Sequence, residues 1–440
     1  MSETRAIIVE LLRNIGGRKE VEQYLKHYCS VDSQRFAVIA ISRGVLDGPL
    51  MRVAASLSFL REVGLYPIVV HSAGPRLDEA LVAAGVERGH VDDSPETTAE
   101  ALAVIRRAYQ QENLALVEAL DAQGCPARPI VTGVLEAEPE QGSLFGRVTS
   151  VDKVALSSAI RARTLPIVAS LATSAEGQLL DVHTEDAAAA VARRVQPHKL
   201  IILTEDGGVE GPDGRRLDAI NLSEQAPAIF DEPWLTKRAR QRLERIAGLL
   251  EHLPATSSVS VTSPDHVARE LFTHRGAGTL VRRGERVIVH QRFEDVNQRR
   301  LRELVETCFG RALTTSYFAD RRCRRVYVSE NYRATAIVTE EAGMPYLDKF
   351  AVTRKAQGEG LGGSVWSRMR ADHPQLFWRS RTDNAVNGWY FQQSDGSFRS
   401  GPWTVFWYGF EGFDAARPCV EAAQALPPSL AEPAAEETSE

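Results

Sequence analysis

Residues Tyr346–Trp366 read YLDKFAVTRKAQGEGLGGSVW. The stretch begins with an apolar, aromatic run, Tyr346, Leu347, Phe350, Ala351 and Val352, which has the composition of a buried strand. After a short polar turn, Gln357-Gly358-Glu359-Gly360-Leu361-Gly362-Gly363 opens an apolar-periodic helix through Val365, Trp366 and Met369. Residues without side chains at a helix start let a ligand approach the unpaired backbone N–H groups. The helix dipole there favours an anion such as a pyrophosphate. A glycine-rich loop alone is equally a tight turn; the strand before it and the helix after it single this one out. The spacing excludes a Walker loop, because no Gly-Lys-Ser/Thr follows. It also lacks the βαβ continuation of a dinucleotide fingerprint.

Length and composition set the frame. A chain of 440 residues suggests two domains, each able to bury its own core. Hydrophobic content of 43% and charged content of 25% are those of an ordinary globular protein. A net charge of −6 argues against nucleic acid as a partner. Cys29, Cys125, Cys308, Cys323 and Cys419 are scattered without metal-type spacing and read as free thiols in a reducing compartment. No signal-type segment and no membrane-length apolar run is present, so the expectation is a cytoplasmic protein, with no membrane partner and no metal.

Outward from the glycine loop, the chain reads as two halves. Residues 4–28 predict helices, with Ile7, Ile8, Leu11, Leu12 and Ile15 on one face; this arm, 1–29, either mediates oligomerisation or packs on its own domain. Strands are expected at 36–41, 66–71, 129–132, 166–171, 199–204 and 258–261. Helices are expected at 48–63, 76–84, 95–121, 152–161, 184–195, 235–252 and 264–273. That alternation predicts an α/β domain over 30–283, a mostly parallel sheet with helices on both faces. A second domain over 284–420 is expected to be α+β, with an antiparallel sheet, few helices and a final strand at 404–410. Residues 421–440 are rich in Ala, Pro and Glu and predict a disordered tail.

The words around the glycine loop carry a resemblance. Gln-Gly-Glu-Gly-Leu-Gly at 357–362 resembles the acetyl-CoA pyrophosphate loop of the GCN5-related N-acetyltransferases. LDKFAV at 347–352, LFWRSR at 376–381 and NGWYFQQSDGSF at 387–398 resemble the transferase domain of N-acetylglutamate synthases. The first half resembles the acetylglutamate kinase branch of the amino-acid kinase fold, through VVHSAGPRLDE at 69–79, VTGVLEAE at 131–138, KLIILTEDGGV at 199–209 and ELFTHRGAGTLV at 270–281.

The resemblance fails where kinase chemistry needs it. The family's Lys-x-Gly-Gly loop corresponds to Ala40-Ile41-Ser42-Arg43, and its His-Gly-Ala-Gly to His71-Ser72-Ala73-Gly74. Of a substrate-contacting Asn-x-Asn-Ala-Asp, the stretch Val182-His183-Thr184-Glu185-Asp186 keeps the aspartate alone, and Arg242 stands where relatives carry a second lysine. Phosphoryl transfer depends on positioning and charge, so four such changes in separate elements predict a retired kinase site with a regulatory role.

Acylating an amine from a CoA thioester needs a neutral amine, a held thioester, oxyanion stabilisation and a proton for the thiolate. A dicarboxylic substrate also needs cations. In isolation Lys349 reads as a solvated edge lysine. Arg379 and Arg381 alternate along a strand and face one side, inviting either an anion or a surface ion pair. Arg311, after Phe309-Gly310, suits a helix C-terminus. The family resemblance implies more. Lys349, Arg379, Asn384 and Tyr390 match glutamate-binding and catalytic positions, and Arg311 a basic substrate contact. Tyr390 becomes the acid for the CoA thiolate, against a plain packing role beside Trp389 and Phe391. Phe350, Ala351 and Val352 would offer backbone groups to the pantetheine arm, while Gln357, Gly358, Gly360, Leu361, Gly362 and Gly363 take the pyrophosphate. No residue stands out as general base; a relayed water would serve.

The resemblance therefore implies acetyl-CoA as co-substrate, L-glutamate as acceptor, L-arginine as an effector, and a homo-oligomer, with a tetramer favoured over a hexamer. A bifunctional synthase/kinase and an arginine-sensing regulatory subunit are the competing readings.

Overall fold

The computed structural model describes residues 37–431 apart from positions 75, 87–89, 92, 93, 96, 141, 142, 227, 255, 256, 273–276, 355, 358 and 359. The expected arm at 1–29, Gly358 and residues 432–440 lie outside the described residues. The chain divides into two compact units, Met1–Arg283 and Gly284–Glu440.

In the first unit, eight strands form one sheet in the order Ala219–Asn221, Thr279–Arg282, Ser258–Thr262, Lys199–Leu203, Ala37–Ile41, Ile68–His71, Leu165–Ala169, Ala127–Ile130. Neighbours run parallel except for Ser258–Thr262 against Thr279–Arg282. Every residue of Ala37–Ile41 is buried, as expected for a central parallel strand covered on both faces. Val38 and Ala40 join the core on one face, and Ala37, Ile39 and Ile41 the core on the other. Helices fall where the apolar periodicity places them, and a side-chain cap fixes the start of the longest: Thr98 accepts from Ala101 N ahead of Ala99–Asp121. A second sheet of four short strands, Leu179–Asp181, Leu171–Thr173, Leu135–Pro139 and Gly146–Val151, was not expected.

The second unit is a seven-stranded sheet. Its strands are β1 (Val287–His290), β2 (Cys323–Ser329), β3 (Ala334–Glu341), β4 (Met344–Val352), β5 (Leu376–Arg381), β6 (Gly396–Ser400) and β7 (Trp403–Tyr408). Their order is β1-β2-β3-β4-β5-β7-β6. All pairs are antiparallel except β4 with β5, which meet at Tyr346↔Phe377. The four principal helices are α1 (Gln298–Phe309), α2 (Leu361–Asp372), α3 (Asn387–Gln393) and α4 (Gly412–Ala425).

Two expectations need correction here. Helical structure takes a larger share of the unit than the few helices expected, and NGWYFQQ at 387–393 is one of its helices, α3. The tail expected to be disordered from 421 is helical to Ala425, and Leu430 forms a β-bridge with Leu313. The reason is helical spacing hidden in an Ala-rich composition. Ala416, Cys419, Val420 and Ala423 line one face of α4 and pack on Tyr346, Phe377, Val405 and Trp407.

Candidate active site

β4 organises the second unit's site. Its register with β3 runs from Ile337↔Lys349 directly to Val338↔Leu347, which leaves Asp348 unpaired in a bulge. Strict alternation would send Asp348 and Lys349 to opposite faces. Across the bulge Lys349 Nζ instead lies 2.8 Å from Asp348 Oδ2, with the two side chains 4% and 5% exposed. The Tyr317 hydroxyl donates to the same oxygen at 2.5 Å. Burial alone would raise the Asp348 carboxyl, but the Lys349 ammonium and then Arg321 hold it below the usual carboxylate range. Burial pulls the Lys349 ammonium down, with Asp348 opposing. Lys349 is thus no solvated edge lysine; it is a buried cation on a central strand.

The other expected cations converge on the C-terminal segment. Arg379 Nη1 donates to the carbonyls of Ala423 at 2.6 Å and Leu426 at 2.8 Å, and Nη2 to that of Pro427 at 3.2 Å. Arg311 reaches the carbonyl of Ala431 at 2.8 Å, so it serves this segment and not a helix end. Lys349 Nζ donates to Ser429 Oγ at 2.6 Å. Arg379 and Arg381 do share a face, with their guanidinium carbons 4.2 and 5.4 Å from the Trp403 ring centroid.

Asn384 is exposed and lies in the turn that precedes α3. Its amide donates to Ser380 Oγ at 3.0 Å and accepts from Val386 N at 3.2 Å, building the turn that leads into α3.

Tyr390, on α3, is buried among Trp366, Trp378, Trp389 and Phe406. Burial pushes its phenol well above the ordinary tyrosine range, and among the described residues its hydroxyl has no hydrogen-bond partner. Phe350 stacks on Trp389 at 5.6 Å, and Trp366 of α2 packs on both rings. One aromatic cluster therefore joins β4, α2 and Tyr390.

The glycines before and in α2 differ in what they do. Gly360 is the N-cap, with φ +63° and no side-chain cap, and the first turn holds no acidic residue. A Cβ on Gly362 would meet Val352 Cγ2 at 3.0 Å, so its smallness serves helix–strand packing. A Cβ on Gly363 would meet nothing within 4 Å. Glycine costs a helix stability, and at Gly363 no packing within the chain requires it. Gly363 is exposed with open space beside it, which leaves the N–H groups of the helix start accessible to a phosphate-bearing ligand. Gln357 ties the loop back, donating to the Val352 carbonyl at 3.2 Å. Beyond Tyr346↔Phe377, the described strand pairs of Phe350–Val352 lie on the β3 side. Sequence reasoning missed Asp348, Tyr317 and Ser429. The Asp-Lys pair inside an apolar strand was the available signal for the first; the tail offered none.

In the first unit, the kinase-type loops are filled by the chain's own side chains. Arg43 forms an ion pair with Asp78, and the Glu205 carboxylate occupies the space a Cβ on Gly44 would take. Arg242, 5% exposed, donates from Nε to Glu185 Oε1 at 2.8 Å. Asp186 lies 3.6 Å from Arg245. Among the described residues no cluster of His, Cys, Asp or Glu could hold a metal ion.

Comparison with known proteins agrees with this division. Residues 35–237 match the amino acid kinase family, and residues 288–425 match the N-acetyltransferase of N-acetylglutamate synthase. A mitochondrial N-acetylglutamate synthase from Danio rerio is 32% identical, covering 95% of this chain and 80% of that protein. The chain belongs to the N-acetylglutamate synthase family. A protein named acetylglutamate kinase from Xanthomonas campestris is 44% identical, covering 94% of this chain and 99% of that protein. The N-acetylglutamate synthase of Neisseria gonorrhoeae, solved with coenzyme A and N-acetyl-glutamate, superposes with a TM-score of 0.61 at 19% identity, covering 89% and 97% of the two chains. As an N-acetylglutamate synthase family member, the chain is an amino-acid N-acetyltransferase, its catalytic unit preceded by an amino acid kinase fold. No helix among the described residues is long and apolar enough to cross a membrane.

Proposed function

We propose that the chain transfers the acetyl group of acetyl-CoA to the α-amino group of L-glutamate, releasing N-acetyl-L-glutamate and CoA. The observation that carries this reading is β4 itself. On one strand it holds the buried cation Lys349 and, in the next three residues, the backbone that leads to the glycine-started helix α2.

In this reading Lys349, Arg379 and Arg311 take the substrate carboxylates, with Arg381 beside them, and the N–H groups at the start of α2 take the pyrophosphate. Phe350–Val352 hold the pantetheine arm. The neutral amine attacks the thioester carbon and gives up its proton to a relayed water, the tetrahedral intermediate collapses, and the C–S bond breaks; the same water returns a proton to Tyr390 afterwards. Tyr390 gives its proton to the departing thiolate; a phenol held neutral by burial is available for this across the working pH range. Asn384 acts by setting the turn that presents α3 and Tyr390.

The kinase-fold unit is, on this account, catalytically silent. Arg242 is neutralised by Glu185, and Glu205 and Arg43 fill the loop where nucleotide phosphates would need backbone approach. Relatives named acetylglutamate kinase keep the bifunctional reading as the one to exclude. L-arginine is the proposed effector, supported by a Neisseria gonorrhoeae N-acetylglutamate synthase structure complexed with coenzyme A and L-arginine. We further assign a homo-oligomer, a tetramer before a hexamer, in the cytoplasm, where Cys125, Cys308, Cys323 and Cys419 stay free.

The test is free-CoA release by the purified protein with acetyl-CoA and a panel of amino acids, with and without arginine. Glutamate-dependent release supports the proposal; release with a different amino acid, or none, removes the substrate assignment.

A further inference from the structure

Resting on the reading that Lys349, Arg379 and Arg311 receive the substrate's carboxylates, we propose that residues 426–431 are an autoinhibitory strap that competes with the amino-acid substrate for those three cations.

The three N–H bonds of Lys349 go to the Asp348 carboxylate at 2.8 Å, the Asp348 carbonyl at 3.1 Å and Ser429 Oγ at 2.6 Å. Both Nη1 donors of Arg379 are spent on Ala423 and Leu426 carbonyls, and Nη2 also donates to Pro427. Arg311 donates from Nε to Ala431 at 2.8 Å and from Nη2 to Leu430 at 3.4 Å. A bidentate carboxylate needs two adjacent N–H groups on one guanidinium. Of the Arg379 bonds the strap makes two, to Leu426 and Pro427, while the one to Ala423 belongs to α4; Lys349, 4% exposed, has no donor left to give while Ser429 sits on it. A carboxylate can take Lys349, and the donors that Leu426, Pro427, Leu430 and Ala431 hold on the two arginines, only as the strap leaves.

The strap is built to leave. Its acceptors are carbonyls and one hydroxyl, neutral groups without the opposite charge and bidentate fit that a carboxylate brings to an arginine. Apart from the arginine bonds to its carbonyls, it makes two backbone–backbone bonds, Thr314 N to Ser429 O at 3.2 Å and Ala431 N to Ala312 O at 2.8 Å. None of its six residues is buried, whereas α4 immediately before it keeps Ala416, Cys419, Val420 and Ala423 in the core. Release after Ala425 therefore needs no unfolding of the unit, and the strap belongs to the low-stability end of the structure. Apparent affinity for the amino acid is then reduced by the fraction of molecules in which the strap is open.

The experiment compares the full chain with two truncations, one ending at Ala425 and one at Ala431. Ending at Ala425 should lower the glutamate KM about 3- to 30-fold, with the acetyl-CoA KM and kcat near those of the full chain. Ending at Ala431 should change nothing. A peptide LPPSLA added to the shorter enzyme should inhibit competitively against glutamate. Leu430→Ser in the full chain should shift the glutamate KM in the same direction, by less. An unchanged or raised glutamate KM at Ala425 overturns the strap, as does a fall already complete at Ala431. Failure of the underlying site reading is seen separately: Arg379→Ala and Lys349→Met in the full chain would leave the glutamate KM unmoved.

Discussion

Asp348 and Lys349 are neighbours on an extended strand, yet their charged groups meet at 2.8 Å on the same side because the strand bulges between them. A buried pair of this kind contributes little net stability, but breaking it strands a charge. Asp348→Asn should therefore destabilise the transferase unit by about 3–5 kcal/mol. Asp348→Asn with Lys349→Met should recover most of that stability without recovering activity. Urea unfolding of the two variants checks both statements; equal destabilisation would mean the pair is not a unit.

Tyr390→Phe keeps the ring among Trp366, Trp378 and Phe406 and removes the proton donor. Steady-state kinetics should show kcat lowered about 100-fold with both KM values near wild type. Full activity in this variant assigns the thiolate's proton to water.

Gly363→Ala separates cofactor binding from folding. The added methyl has open space, and alanine should stabilise helix α2 by roughly 0.5–1 kcal/mol. The acetyl-CoA KM should nevertheless rise, by about tenfold. A stabilised enzyme with unchanged acetyl-CoA affinity would remove the helix start from the cofactor site. Gly360 and Gly362 give no such separation, because the positive φ of the first and the Val352 methyl beside the second add a structural cost of their own to any substitution.

In the first unit His71 is fully buried, with Asn113 Nδ2 2.9 Å from Nε2 and the Ser72 carbonyl 2.8 Å from Nδ1. Burial pulls its pKa down to about 4, against the Ser72 bond, so the folded ring is neutral at pH 7. Between about 6.5 and about 4 the unfolded chain binds the proton and the folded chain does not. Stability should thus fall as pH drops through that window, by about 2 kcal/mol at pH 5 from this residue. Urea unfolding followed by circular dichroism should show a flatter pH dependence for His71→Gln, although that variant is less stable at pH 7. An unchanged slope would place the acid sensitivity elsewhere.

What the sequence made legible was whatever repeats or is local. The alternation of apolar runs fixed the parallel sheet, and the helix 95–121 was readable to within the Thr98 cap at Ala99. The glycine loop announced itself by following a strand and opening a helix. The bulge at Asp348 was invisible, because the strand's composition is the same with or without a slipped register. The four-stranded sheet hid in short segments such as LEAEP, whose burial alternates with only two buried residues. The tail misled because alanine, proline and glutamate look alike in a helix and in a disordered end. Only the contacts of Ala416, Cys419 and Val420 with Tyr346 and Trp407 distinguish them. The site cations were legible as residues; their present partners, carbonyls of the chain's own end, were not.

The central claim is that chemistry resides in the second unit while the kinase-type site of the first is closed. One preparation, split between two reactions, tests it: acetyl-CoA with glutamate, and ATP with N-acetylglutamate, with products quantified by mass spectrometry. The account predicts N-acetylglutamate in the first reaction and no phosphorylated N-acetylglutamate in the second. Phosphorylated product formed at a rate comparable to the acetylation, or no acetylated product at all, would contradict it.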